Sequence, residues 1–259
     1  MPRSPANDLE FDRVLMLVAA HAKTRVGRQC VTTCRELPDA TEACRRAAFN
    51  TALAELVATD GALPLTGVDD ATEWLGPDAR VPTEPREFLT LLALARGIAA
   101  IRRRLHTAPD ELAVLRAAAD RLPDTADLVA TVSPLLGRDG RIPDDATPEL
   151  ARLRRSSARQ RQEVLRVLAG VQRAHRSAVT DAPPTLRRDR YCVPVRTAAK
   201  SEIPGLLLDT SSTGATVFVE PYEAVDLNNV LTENSARERH EVQRILRRIG
   251  DAFAATAGE

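Results

Sequence analysis

Five cations crowd the fourteen positions from 187 to 200: Arg187, Arg188, Arg190, Arg196 and Lys200. A guanidinium offers five N–H donors and a charge that does not titrate, and an ammonium offers three donors. Such groups grip phosphate oxygens through charge-assisted hydrogen bonds and break no covalent bond. Set along a backbone, they position a nucleic acid without reading its bases. These five are the candidate nucleic-acid-binding residues.

No motif competes with them as a seat of catalysis. The phosphate-cradling pattern Gly-x-x-x-x-Gly-Lys-Ser/Thr is absent, and so is the nucleophile elbow Gly-x-Ser-x-Gly. STGAT at 212–216 has a glycine but no lysine, and no helix is expected to follow it. The carboxylate pairs Asp69-Asp70 and Asp144-Asp145 sit in turn-like contexts, where they cap helices. Cys30, Cys34, Cys44 and Cys192 form no Cys-x-x-Cys pair, and His21, His106, His175 and His240 are scattered. The cysteines therefore read as reduced core thiols and Trp74 as a packing residue. Binding residues are expected, with no catalytic residue, cofactor or metal.

The 36 basic residues balance 36 acidic ones, but not locally. From Leu150 to Lys200, twelve arginines and one lysine face only Glu163, Asp181 and Asp189, a local excess of +10. A basic arm on an acidic remainder is the electrostatic footprint of a phosphate-contacting protein. The competing reading is compositional. Lys23 and Lys200 are the only lysines, so arginine is this chain's habitual cation and also serves to solvate long helices. Aromatic residues make up 3% of the chain, too few for a base-stacking platform. The opening MPRSPANDLE has no apolar stretch and no 18-residue apolar run follows. No membrane partner and a cytoplasmic setting are expected.

The elements that must hold these cations are mainly α. Residues 9–58 read as two amphipathic helices broken at Leu37-Pro38-Asp39, followed by a loop at 61–67 and a short helix over Asp69–Leu75. Further helices are expected over Arg86–His106, Asp110–Arg121 and Thr125–Leu136, a bundle with short proline-containing links. GRDGRIP at 137–143 marks a boundary, with Gly140 supporting a tight turn. A helix of roughly thirty residues, about 45 Å long, then runs from Pro148 to about Ala178. Its Leu153, Ser157, Gln160, Val164, Val167, Val171, Ala174 and Ala178 form a narrow seam. Leu231, Ser235, Glu238, Val242, Ile245 and Ile249 repeat that spacing on a return helix, and polar residues mid-seam predict a weak contact there. Between the two, three short strands are expected: Tyr191–Val195, Leu206–Leu208 and Thr216–Val219. Pro221 is placed at the first position of the return helix. The domain reading is a helical core over 1–140, an ascending lever over 141–180, a small β clamp over 181–221 and a descending lever over 222–259.

DRYCVPVR at 189–196, PGLLLDTSSTGATVFVEP at 204–221 and AVDLNN at 224–229 resemble the clamp region of the MutS family, in its bacterial MutS-two branch. LEFDRVL at 9–15 and DDATPELARLRR at 144–155 resemble the same branch in the same order. Asp189 departs from the pattern, which has glycine before the Arg-Tyr pair. The resemblance implies a helical core bundle with long antiparallel lever helices carrying a small β clamp subdomain. It also implies binding of branched or duplex DNA, recombination suppression and, for some members, action on collided ribosomes. Members carry an ATPase domain, where ATP and Mg are expected, and dimerise through it. The chain is therefore expected to be a truncated N-terminal portion, monomeric, without ATPase or nuclease activity. Phe218-Val219-Glu220 spells the family's mismatch wedge, but in a clamp strand, so Phe218 is expected to pack in the core.

Two functions stay open. One is a DNA clamp, whose affinity would fall with salt through counterion release. The alternative is a ribosome- or protein-docking module with no direct DNA role.

Overall fold

The computed structural model describes residues 10–35, 37, 39–65, 82 and 84–256. Its contacts divide the chain into two units, Met1–Ile142 with Leu246–Glu259, and Pro143–Ile245. The helix expected over Asp69–Leu75, and Trp74 with it, lie outside the described residues.

The first unit is built from α1 (Phe11–Ala19), α2 (Arg25–Thr32), α3 (Ala40–Asp60), α4 (Pro85–His106), α5 (Ala113–Ala119) and α6 (Ala126–Val132). The sequence reads the first two as one helix. They are separate because Thr24, in extended conformation, accepts the Gly27 N–H at 2.9 Å and opens a new helix there. α4 starts on a reciprocal capping box between Glu84 and Glu87, with Pro85 as its first residue. Ala52 and Leu56 of α3 pack with Leu105, Leu112, Leu115 and Ala119 to form the core. The buried Thr125 hydroxyl donates to the Ala95 carbonyl at 2.7 Å, and the Phe88 and Phe253 rings stack with centroids 6.0 Å apart. Gly140, at φ 74, makes the tight turn that ends this unit's bundle.

The second unit is a pair of long helices and a sheet. α7 (Pro148–Ala174) begins at Thr147, whose hydroxyl accepts the Leu150 N–H at 3.1 Å. α8 runs Tyr222–Thr256, and its residues up to Ile245 belong here. Four contacts fix their relation: Thr147 to Glu241 (2.6 Å), Arg154 to Glu238 (2.8 Å), Ser156 to Asn234 (3.2 Å) and Gln160 to the Leu227 carbonyl (3.4 Å). Numbers rise along α7 as they fall along α8, so the helices are antiparallel. α7 stops four residues before the expected Ala178 because β structure claims that backbone. The Ala178 carbonyl accepts the Arg196 N–H at 2.8 Å, and Thr180 donates to the Pro194 carbonyl at 3.0 Å.

The seam keeps Leu153, Val164, Leu231 and Ile245 where expected but is displaced elsewhere. Leu150, Leu153, Val164 and Leu168 are buried on α7, and Leu231, Asn234, Glu241 and Ile245 on α8, whereas Ala174 and Ser235 are exposed. A straight helix at 3.6 residues per turn drifts about 20° per heptad from a 3.5-residue repeat, so the contact line moves off the strict pattern. The middle of the seam is polar, and Ser157 Oγ is buried there with no partner.

The sheet has four strands in the order β1-β2-β4-β3, all antiparallel: β1 (Thr185–Arg187), β2 (Arg190–Arg196), β3 (Gly205–Thr210) and β4 (Thr216–Pro221). Three strands are legible in sequence. β1 is not, because three residues are too few to show alternation. Val193 lies opposite Val219 and Val195 opposite Val217, so one face is continuous apolar surface. That face packs with Val164 and Leu168 of α7 and Ala224 and Leu231 of α8. Pro221 closes β4 opposite Gly205 instead of opening α8.

A buried hydroxyl without a partner costs about 1–3 kcal/mol, and alanine is the better helix former. Ser157→Ala should therefore stabilise the protein by about 1–2 kcal/mol. The measurement is urea unfolding, where the midpoint rises and the slope stays constant.

Candidate nucleic-acid interface

The five cations do not form one cluster. Arg190 and Arg196 stand at opposite ends of β2, six residues and about 20 Å apart. Their environments differ more than their positions.

Arg190 is engaged within the fold. Its Nε and Nη2 donate to the two oxygens of Glu220, both at 2.6 Å, and Nη2 also reaches Asn229 Oδ1 at 2.9 Å and the Val225 carbonyl at 3.3 Å. Glu220 is 0% exposed, so its charge is compensated from within the fold. A guanidinium held this way has no fork to offer a phosphate. It is a brace.

Asn228 completes that brace, and sequence reasoning missed it. β1 pairs with the Tyr191 end of β2 on one side, but β4 ends at Pro221, so no strand continues beside it on the other. The Asn228 carboxamide takes the strand's place, accepting the Tyr191 N–H at 3.0 Å and donating to the Tyr191 carbonyl at 2.9 Å. It donates to Glu220 as well, at 2.8 Å. The nearest signal in sequence is the Asn228-Asn229 pair inside an otherwise amphipathic helix. Gly205 supplies the remaining fit, since a Cβ there would stand 2.2 Å from the Glu220 carbonyl oxygen.

Arg188 and Asp189 form the two-residue turn between β1 and β2, both left-handed at φ 48 and φ 60. This is the primed hairpin turn, normally supplied with asparagine and glycine. It leaves Arg188 exposed. Arg187 lies 4.2 Å over the Phe218 ring and 3.6 Å from Asp209. Its charge is partly spent inside the sheet's outer face. Phe218 is half-buried beneath it, on the face opposite the core, contrary to the expectation that it packs inside. At the other end of β2, Arg196 donates to the Ser177 carbonyl at 2.7 Å and is exposed, with no carboxylate partner among the described residues. Lys200 is exposed on the short 3-10 helix Thr197–Glu202. Arg188, Arg196 and Lys200 are thus the cations presented to solvent.

Of the four cysteines, Cys192 is the buried one. Burial pushes the Cys192 thiol up to about 11, which keeps it protonated and unreactive. Cys30, Cys34 and Cys44 are exposed, so only one of the four cysteines is the core thiol expected. Among the described residues no group of three His, Cys, Asp or Glu side chains could hold a metal ion, and the chain has no phosphate-cradling loop. No helix among the described residues is long and apolar enough to cross a membrane.

Arg190→Ala would strand a buried carboxylate. The expected cost is about 3–5 kcal/mol, measured by denaturant unfolding. Arg190→Ala with Glu220→Ala should recover part of it, because the orphaned charge is then gone.

No protein-family model matches the chain. Endonuclease MutS2 of Thermus thermophilus is 35% identical over 251 residues, covering 96% of this chain and 32% of the relative. Endonuclease MutS2 of Symbiobacterium thermophilum is 30% identical with the same coverage, and that of Bacillus velezensis 26% identical over 98% of this chain and 33% of its own length. The chain spans about a third of the length of these relatives. Over nearly all of that third, from helical unit through sheet to return helix, the chain is similar to proteins named Endonuclease MutS2.

Proposed function

We propose that this chain is the lever-and-clamp part of a MutS2-type protein, and that it grips duplex or branched DNA through the solvent-facing cations of its sheet. The observation that carries this reading is the division of labour at β2. One arginine is consumed by a buried brace, while Arg188 at one end and Arg196 and Lys200 at the other face outward. The strand between them is about 20 Å long, a length of duplex axis that carries about twelve negative charges. These cations would hold a backbone in place and read no sequence. The relatives' name, endonuclease, supports a nucleic acid as the partner.

No catalytic step is assigned to these residues. An ATP cycle, and dimerisation through the domain that runs it, would be supplied by parts of the relatives outside the matched third. In that arrangement α7 and α8 transmit motion, and the braced sheet delivers it.

The test is a titration of the chain against a labelled four-way junction and a matched linear duplex at several salt concentrations. Arg188→Ala with Lys200→Ala is run alongside, because these positions do not support the fold. The expected result is junction-favouring binding that weakens with salt, its log–log salt slope falling by about 2 in the variant. Absence of binding at low salt, or an unaltered slope in the variant, would overturn the reading and leave a protein or ribosomal partner as the better one.

A further inference from the structure

The outward face of α7 carries a second set of cations that the sheet does not use. At 100° per residue, Arg152, Arg155, Arg159, Arg166 and Arg173 fall within about 60° of one another, in a row about 30 Å long. All five are exposed. The buried positions Leu150, Leu153, Val164 and Leu168 lie on the opposite side of the helix, so the row points away from α8. Arg152 and Arg166 are paired with Glu149 and Glu163 one turn back, in exposed ion pairs that contribute little and exchange readily. Arg155 bonds only the Ala151 carbonyl at 3.1 Å. Among the described residues, no carboxylate pairs with Arg155, Arg159 or Arg173.

Composition does not account for the row. α7 holds seven arginines against two glutamates, whereas its partner α8 holds five arginines against six carboxylates, in the same chain and at similar exposure. The row is one-signed where its neighbour is mixed. A further feature points outward. Gly170 lies beside the row in mid-helix, where glycine weakens the helix relative to alanine, and a Cβ there would meet nothing within 4 Å. Packing within the described structure does not require it, but close approach of another backbone would.

We infer that this face of α7 is a docking surface for the phosphodiester backbone of a duplex nucleic acid lying along the helix. α7 has no aromatic residue, so it offers single strands no stacking platform. The row's contacts would be to phosphates, which DNA and RNA duplexes share, so the two should bind alike. The surface is separate from the outer face of the sheet and stands whether or not that face binds.

The experiment uses the full chain with a 30-base-pair DNA duplex, the matching RNA duplex and one of the single strands, between 50 and 200 mM salt. Arg155→Gln, Arg159→Gln and Arg173→Gln are combined in one variant. Losing three phosphate contacts should make the fall in duplex affinity across that fourfold salt range about 40-fold smaller than in the unaltered protein. Arg161→Gln, exposed on a different side of α7, should change the slope by no more than a single contact's share. Gly170→Leu should weaken duplex binding without lowering the thermal midpoint, because its side chain has open space. An unaltered salt slope in the triple variant overturns the inference, as does tighter binding to single strand than to duplex. So does an equal loss in Arg161→Gln, which would mean net charge alone is read. The Arg188→Ala, Lys200→Ala variant keeps the two surfaces apart: loss there with an unaltered triple variant overturns this surface and leaves the sheet's.

Discussion

A carboxylate with no access to water sits where β4 gives way to α8, and the second unit is arranged around keeping it compensated. Glu220 is held by both forks of Arg190 and by Asn228, which also closes the open end of β2. Three segments distant in sequence meet on one buried charge. Removing any one partner leaves a group whose desolvation is no longer offset, so the cost of partial loss exceeds the worth of any single bond. Such a network specifies position. It fixes the register of β2 against α8 in a way that the apolar face, which would tolerate a shifted valine, does not.

That arrangement decides which cations are left for a partner. Arg187, Arg188 and Arg190 read alike in sequence, three arginines in four positions. In the fold one is a brace, one is stacked on Phe218, and one is carried outward by a left-handed turn. The turn is costly for a non-glycine residue, roughly 1 kcal/mol for each left-handed position. It leaves Arg188 exposed, with no ion pair among the described residues.

The same residues mark what sequence could and could not reveal. The alternation of Tyr191, Val193 and Val195, and the four-and-three spacing along α7, are local patterns, and local patterns are readable. The mainly α class with a small sheet follows from them directly. What failed were decisions made at long range. Arg190 meets Glu220 thirty residues on, Asn228 substitutes for a strand that ended seven residues earlier, and β1 exists only because β2 is there to pair with it. The seam missed by a residue at Val167 and Ser235, where Leu168 and Asn234 are buried instead, because 3.6 residues per turn drift from a 3.5-residue repeat. The brace was therefore invisible as a brace, although each member was in plain view.

Stability is distributed unevenly as a result. Near the sheet, α7 and α8 are locked by Val164, Leu168, Leu231 and the buried network. In the middle of the pair the contacts are polar, Ser156 to Asn234 and Arg154 to Glu238, each replaceable by water at little cost, and Ser157 Oγ has no partner there. Lower down, the Arg244 guanidinium holds the Glu241 carboxyl below the usual carboxylate range, and Glu241 is anchored to the Thr147 cap. A firm end, a wet middle and a second anchored point make a pair of rods that yields between its fixed ends before it yields at them. In a braced sheet carried on a two-helix stem, bending therefore concentrates in the polar middle and is kept away from the brace.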